Sequence, residues 1–275
     1  MKIRILIPLL ILAAEGNASA FAQGFADDSS HHFRLALELG YGSIASYDNM
    51  GSPLPYSGIT VPIGGTIEYV TPNVRHLLEC IGIISLGNAA AMTDQYSSAT
   101  DGRNVAYGFG DFRYRFTHYL TTIGSTNIRL SVGGEWDNLI FGRGYNYYGD
   151  WSGGSASGEA SSGIAAAADL TYAIGNDHRF RGSVSLPLVA YVLRPAYGYI
   201  NGNTSIFGFS PQSRIEPIGA MWSWRVGFDY DYAISRPFLL GLHFHELYYQ
   251  YPMLAWRAVA AENELDVALT WRFDL

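Results

Sequence analysis

The stretch Leu265–Leu275, which reads LDVALTWRFDL, alternates strictly along its length. Its odd-numbered residues are apolar, and the even-numbered residues between them are small or polar. A period of two places alternate side chains on opposite faces of a β-strand. The stretch therefore predicts a β-strand with one wholly apolar face. That face carries an aromatic residue, Phe273, two positions before the apolar last residue, Leu275.

The first 22 residues have the organisation of a secretory signal peptide. Lys2 and Arg4 precede an apolar core at residues 5–14, which is too short to span a bilayer as a helix. Small residues offer cleavage sites near Ala20 or Ala22. We expect a signal peptide over residues 1–22 and a short periplasmic leader over residues 23–31.

Composition excludes several classes of protein. The single cysteine, Cys80, cannot form an intramolecular disulfide. Beyond the signal peptide there is no lysine and the formal charge is about −8, so a basic footprint for nucleic acid is absent. Hydrophobic residues make up 48% of the chain, yet no run reaches the roughly 18 apolar residues of a transmembrane helix. Abundant glycine and aromatic residues without such a helix favour membrane-spanning strands.

Alternation of the same kind recurs through the chain and predicts about ten strands. Pro62 interrupts the second strand, where we expect a bulge because proline cannot donate to the ladder. The predicted connections alternate between short turns and long loops, beginning with a loop over residues 46–57. The other predicted long loops cover residues 88–104, 141–161 and 194–217, with one more before the last strand, and the short turns cover residues 71–73, 121–125, 175–177 and 235–237.

The closing strand and the alternating connections resemble those of bacterial outer-membrane β-barrels. The resemblance covers residues 32–275 and concerns the architecture, so it identifies no subfamily. It implies an all-β, transmembrane, antiparallel up-and-down barrel of about ten strands, with short periplasmic turns and long extracellular loops. It also implies location in the cell outer membrane after secretion. The expected partners are outer-membrane lipid, the barrel assembly machinery (through the C-terminal strand) and an extracellular ligand.

Aromatic residues at the ends of the outward faces predict two interfacial girdles. On the lipid-facing surface we also expect Cys80, which would be inert there. The girdle near the long loops would contain Tyr41, Trp136 and Trp222, and the girdle near the short turns would contain Tyr172, Phe180, Tyr232, Phe238 and Phe273.

Charged residues lie on the opposite, lumen-facing side of the strands. We interpret them as paired charges that fill a narrow barrel, because unpaired buried charges are costly and arginine suits bidentate pairing. Inward glycines and alanines would leave some space for water or a small ligand. The predicted lumen charges are Arg34, Glu38, Glu68, Glu79, Asp111, Arg113, Arg115, Arg129, Glu135, Asp137, Asp169, Arg181, Arg225, Asp229, Asp231, Asp266 and Arg272.

Two groups of these side chains are weak candidates for chemistry. His243 and His245 should share a wall with Asp229 and Arg225, with Asp229 opposite Gly241 or His243. A histidine beside a carboxylate can act as a general base or a metal ligand. We favour a hydrogen-bonded pair of lumen histidines and commit to no catalytic residue, metal or cofactor.

The second candidate is an acidic pair, Glu135 and Asp137, expected near the third loop. Ten-strand barrel proteases of the omptin type use paired acids that face an Asp-His couple at the outer rim. The Asp-x-His spacing is absent here, and the segment from His243 to Glu246 does not replace it. Barrel phospholipases need a serine coupled to a histidine, and no serine is committed to that role.

Three functions are compatible with the sequence. The favoured function is a closed or narrow barrel with a ligand-binding, partner-binding or structural role through its extracellular loops. One alternative is a hydrolase of protease or lipase type at the barrel rim. The other is a narrow channel for small solutes.

Overall fold

The computed structural model describes residues 31–48, 52–89, 104–123, 128–146, 154–195, 211–217, 222–253 and 256–275. The predicted signal peptide, and the predicted leader apart from His31, lie outside these residues. Within the described ranges, no helix is long and apolar enough to cross a membrane. The strands are β1 (His32–Asp48), β2 (Ser52–Val70), β3 (Val74–Ala89), β4 (Asn104–Thr122), β5 (Ile128–Asn146), β6 (Gly154–Ile174), β7 (His178–Pro195), β8 (Pro211–Pro217), β9 (Trp222–Ser235), β10 (Phe238–Met253) and β11 (Trp256–Asp274).

The strands form one antiparallel sheet that closes into a barrel. Each strand from β1 to β7 pairs with the next, and β11 pairs with both β10 and β1. β7 pairs with β9 over His178–Ser185 and with β8 over Val189–Pro195. β8 and β9 therefore pair with different segments of β7 and together count as one strand of the barrel. The predicted ten-strand barrel is confirmed. Near the turn end each described strand is paired on both sides, as lipid requires, whereas β8 at the loop end pairs with β7 alone among the described residues.

The two ends of the barrel differ in their connections. His31, Leu275 and the turns at residues 71–73, 175–177 and 236–237 lie at one end, which we call the turn end; the opposite end is the loop end. The Leu275 N–H donates to the His31 carbonyl over 2.9 Å and joins the end of β11 to the start of β1. In the predicted turn after β6, Gly175 has a φ of 61°, a left-handed conformation that glycine adopts without steric cost.

Apolar side chains cover the outside of the barrel near the turn end. Leu37 and Leu39 are 57% and 59% exposed, whereas Arg34 on the opposite face of β1 is 2% exposed. The same alternation places Val267 and Leu269 outside on β11. An apolar exterior around a polar interior inverts the arrangement of soluble proteins, because the solvent outside the wall is lipid.

The strands extend beyond the ends that the sequence predicted. β1 and β2 leave only residues 49–51 between them, and β10 and β11 leave only residues 254–255, so the long loops expected there are wrong. β5 and β6 likewise extend through most of the predicted loop 141–161. β8 occupies part of the predicted loop 194–217. A membrane-spanning strand needs about 9–11 residues, so much of each long strand projects past the membrane at the loop end.

The pattern of side chains inverts in this projecting part. Its outward positions are mostly small or polar, as at Ser43, Ala45 and Ser57. Most of its inward positions form a hydrophobic core, which we call the apolar layer, and an ion pair between Arg143 and Glu159 lies within it beside Tyr249. The buried members of this layer are Ile44, Tyr56, Ile81, Ile83, Val105, Tyr107, Phe109, Leu139, Phe141, Tyr249 and Ala260, and Leu247 packs against them.

The predicted girdles need one correction. Phe238 and Phe273 are exposed near the turn end, where Phe238 packs edge-on against Trp271. Tyr41 and Trp136 are also exposed, but they lie at mid-strand because β1 and β5 continue past them. The side chain of Trp222 lies outside the described set.

The bulge predicted at Pro62 is wrong. Leu39 pairs with Ile63 and Gly42 pairs with Thr60, so the register between β1 and β2 is the same on both sides of the proline. Pro62 itself stays in register with Ile83 on β3. The missing donor interrupts the β1 ladder locally without inserting a residue.

Candidate functional site

The lumen below the apolar layer is lined with charged side chains, which we call the charged section. All the predicted lumen charges face inward, and none of them is exposed. The structure adds inward residues that the sequence reasoning missed, among them Arg75, Arg179, Glu262 and Glu264. Burial of this many ionisable groups is tolerable only if most of them are paired.

Several ion pairs cross the lumen and brace opposite walls. Arg225 on β9 reaches Asp111 on β4 in a close ion pair. Arg181 on β7 contacts Asp229 on β9 and lies 3.5 Å from the Glu68 carboxylate on β2. These contacts leave little open space along the axis, as expected for a barrel of few strands.

A second set of ion pairs centres on Asp169. Its carboxylate receives Arg75 at 3.0 Å and Arg115 at 2.8 Å, and the Thr117 hydroxyl donates to it over 3.2 Å. Arg115 also donates to Glu135 over 2.6 Å, so one guanidinium joins two strands to its own. The forked geometry of arginine allows this double contact.

The acidic pair on β5 is already used in this network. Glu135 is bound by Arg115, and Asp137 lies 3.4 Å from Arg225. The pair was expected near the third loop, but β5 continues nine residues past Asp137 to Asn146, with Glu135 buried and the Asp137 side chain 30% exposed. Their partners and depth indicate a structural role for Glu135 and Asp137.

His243 lies directly opposite Asp229 in the register of β9 and β10, which is one of the two predicted placements. Its imidazole is almost fully buried between two carboxylates. Nε2 is 3.1 Å from Asp231 Oδ1, and Nδ1 is 3.5 Å from Glu38 Oε1. Asp231 is in turn held by Arg179 at 2.6 Å.

His245 completes what we call the histidine group, namely Asp229, His243 and His245. Its Nε2 lies 3.7 Å from Asp229 Oδ1. Each of the three residues offers a side-chain ligand atom, and these atoms lie within 4.8 Å of one another. Arg225 was expected beside this group, but its guanidinium turns to Asp111 and Asp137 instead.

A row of carboxylates on β11 faces the histidine group. Glu262, Glu264 and Asp266 occupy successive inward positions and are each at most 5% exposed. Asp266 lies directly opposite His243 in the register of β10 and β11. The spacing of two residues was the signal that could have revealed Glu262 and Glu264, had the alternation been followed backwards from Leu265.

The lumen contains small cavities. One cavity of about 20 Å³ is bordered by Glu38, His243 and His245, and another of about 20 Å³ lies between Ile83 of the apolar layer and Glu264. Each holds about one water. A peptide or lipid substrate would have to pass the apolar layer to reach the histidine group from the loop end.

Comparison with known proteins agrees with this architecture. No family profile and no curated protein matches the sequence. The outer membrane protease OmpT from Escherichia coli matches the fold with a TM-score of 0.51 at 9% identity, over 90% of this chain and 98% of that chain. Neisserial surface protein A matches at 10% identity and a TM-score of 0.32, over 88% of this chain and 97% of that chain. The translocator domain of the autotransporter NalP from Neisseria meningitidis matches at 10% identity and a TM-score of 0.29, over 97% of this chain and 93% of that chain.

The chain thus has the fold of a bacterial outer-membrane β-barrel, with ten strands in the wall. Its apolar outer band and closed wall place it in the outer membrane. At 9% identity the likeness to the protease concerns the fold, and activity has to be argued from the residues of this chain.

Proposed function

We propose that this protein is a closed barrel that acts through its loop end, where it binds an extracellular ligand or partner. The observation that carries the proposal is the filling of the lumen by two sections in series. Ion pairs such as Arg225–Asp111 cross the charged section, and aromatic side chains fill the apolar layer above it. An apolar constriction also opposes the passage of ions, because ions lose hydration there.

The projecting part of the barrel supports the same proposal. Its small and polar outer face is suited to water, and its apolar layer gives it a core of its own. Such a wall would hold the connections at residues 90–103 and 196–210 on a rigid support. Long connections on a rigid scaffold are common sites of binding.

Conductance of the purified, refolded protein in planar bilayers tests closure. We expect no stepwise conductance from the wild type. A triple variant, Phe141→Ala and Tyr249→Ala with Arg225→Ala, should show conductance because it removes two rings from the apolar layer and an arginine that crosses the charged section. Ile140→Ala is the matched control, since Ile140 neighbours Phe141 in sequence but is 66% exposed on the outer face. Stable conductance steps from the wild type would support the narrow channel instead.

The orientation of the barrel needs a separate test. Cys80 is exposed on the outer wall, and replacing it with serine gives a background without cysteine. In that background Ser97→Cys should react with a membrane-impermeant maleimide on intact cells. Asn176→Cys in the turn end should react only after the outer membrane is permeabilised. The opposite labelling pattern would refute a loop end that faces outward.

The rim hydrolase predicts a different result. Cleavage of a peptide or phospholipid panel that is lost in both His243→Ala and His245→Ala would favour it. The closed-barrel proposal expects no such activity, because the histidine group lies beneath the apolar layer.

A further inference from the structure

We propose that Asp229, His243 and His245 bind a divalent transition-metal ion in the lumen, with Zn²⁺ as the probe. Two imidazoles and one carboxylate are a common ligand set for such ions. The proposal goes beyond the binding role of the loop end and does not depend on it.

The backbone brings the three ligands together. His243 and His245 are two residues apart on β10 and therefore share its inward face. Asp229 lies opposite His243 on β9. Their ligand atoms lie within 4.8 Å of one another, whereas metal–ligand bonds of about 2.1 Å imply separations nearer 3.4 Å in a tetrahedral site. Side-chain rotations that move each ligand atom by about 1 Å would close that difference.

Two glycines, Gly227 and Gly241, lie next to the histidines in the wall. A Cβ on Gly241 would lie 2.5 Å from His243 Nε2, and a Cβ on Gly227 would lie 3.3 Å from His245 Nδ1. Glycine at these two positions lets both imidazoles lie close against the neighbouring backbone. Alanine at Gly241 would collide with the ring of His243.

Hydrogen bonding around His243 leaves one ring nitrogen facing a negative charge. When Nε2–H donates to Asp231, Nδ1 presents its lone pair 3.5 Å from the Glu38 carboxylate. A cation bound to Nδ1 would relieve the repulsion between this lone pair and the Glu38 carboxylate. A carboxylate on the far nitrogen is also the usual support of a metal-bound histidine.

The two carboxylate oxygens of Asp229 have different neighbours. Oδ2 is held by Arg181, and Oδ1 faces His245. Oδ1 can therefore coordinate an ion without breaking the pair with Arg181. Asp229 is 1% exposed, so water does not compensate its charge.

An independent observation points to a missing positive charge. Asp266 is 1% exposed and lies opposite His243, yet neither of its carboxylate oxygens has a hydrogen-bond partner among the described residues. Around the histidine group, the carboxylates of Glu38, Asp229, Asp231 and Asp266 outnumber the two guanidinium groups that pair with them, Arg179 and Arg181. A divalent cation at the histidine group would balance this excess of two negative charges.

Metal uptake by the refolded protein, purified without a histidine tag and stripped with EDTA, tests the site. We expect one Zn²⁺ per chain by elemental analysis, and Co²⁺ should give a visible absorption spectrum of nitrogen and oxygen coordination. His243→Gln with His245→Gln should weaken Zn²⁺ binding by more than about 100-fold, because two of the three ligands are removed. Asp231→Asn should weaken it by about 10- to 100-fold while all three ligands remain.

The matched control is His76→Gln with His178→Gln, two histidines that bond to the outward tyrosines Tyr114 and Tyr230. This control should bind as the wild type does. Heat-modifiable gel mobility confirms that each variant is folded. Absence of the Co²⁺ spectrum in the wild type, or equal Zn²⁺ binding in the ligand and control variants, would overturn the proposal and leave protonated histidines as the positive charges.

Discussion

Replacement of Arg115 by methionine should destabilise the barrel more than removal of any surface charge. Arg115 is 4% exposed and bonds to Glu135 over 2.6 Å and to Asp169 over 2.8 Å. Removing one partner of a buried ion pair costs about 3–5 kcal/mol, because the other charge stays buried. Methionine fills much of the same volume, so the loss concerns charge and not packing.

The other contacts of Asp169 and Glu135 narrow the expected loss of stability in Arg115→Met. Asp169 keeps Arg75 at 3.0 Å and the Thr117 hydroxyl, so it does not lose all compensation. Glu135 loses its only described ion-pair partner, although other arginines remain nearby. We therefore expect a loss near the lower limit, about 3 kcal/mol in the free energy of unfolding.

Equilibrium unfolding in lipid vesicles, followed by tryptophan fluorescence and heat-modifiable gel mobility, measures this loss. The control is Arg236→Met, because Arg236 pairs with Asp274 at 3.0 Å while 67% of its side chain is exposed. That variant should lose about 1 kcal/mol or less.

Adding Glu135→Gln to Arg115→Met removes the stranded charge. The double variant should recover part of the stability, with a coupling energy of about 1–3 kcal/mol. If Arg115→Met proves no more destabilising than Arg236→Met, the ion pairs of the charged section do not support the barrel and the reasoning fails.

Four further variants test the wall itself. Deletion of residues 273–275 should abolish membrane insertion and lead to periplasmic degradation, and a compact, heat-sensitive band from the outer membrane would show that this strand does not close the barrel. Phe273→Arg should destabilise by about 1 kcal/mol, because Phe273 lies near the interface at the turn end, whereas Asp274→Asn at the exposed end of β11 should be tolerated; unfolding in vesicles measures both. Leu242→Arg places a charge on the lipid face and should cost about 2–4 kcal/mol at mid-bilayer depth, and a value near zero would argue that lipid does not contact this position.

The alternation of apolar and polar residues determined the class of this protein. It placed Leu37 outside and Arg34 inside on β1, and both placements are confirmed. Side-chain direction in a strand has a period of two whatever the partner strands are, so the faces can be assigned locally. The strand count and the short turns near Gly175 and Arg236 were readable for the same reason.

The ends of the strands were not readable from that pattern. Beyond Tyr41 and Trp136 most outward positions become small or polar, and such segments resemble loops by composition. They are strands because neighbouring strands offer them hydrogen bonds and because their inward side chains, such as Ile44 and Phe141, pack across the barrel. That packing exists only after the sheet has closed.

The partners of the buried charges were also decided by the tertiary structure. The sequence showed that Arg225 and Asp111 face inward, but 114 positions separate them along the chain. The pairing of β9 with β10 places Asp229 opposite His243. Closure of the barrel brings Asp111 within reach of Arg225, whose guanidinium extends across the lumen to it. A period of two gives the face of each side chain, and only the curvature and register of the closed wall determine which side chains meet inside it.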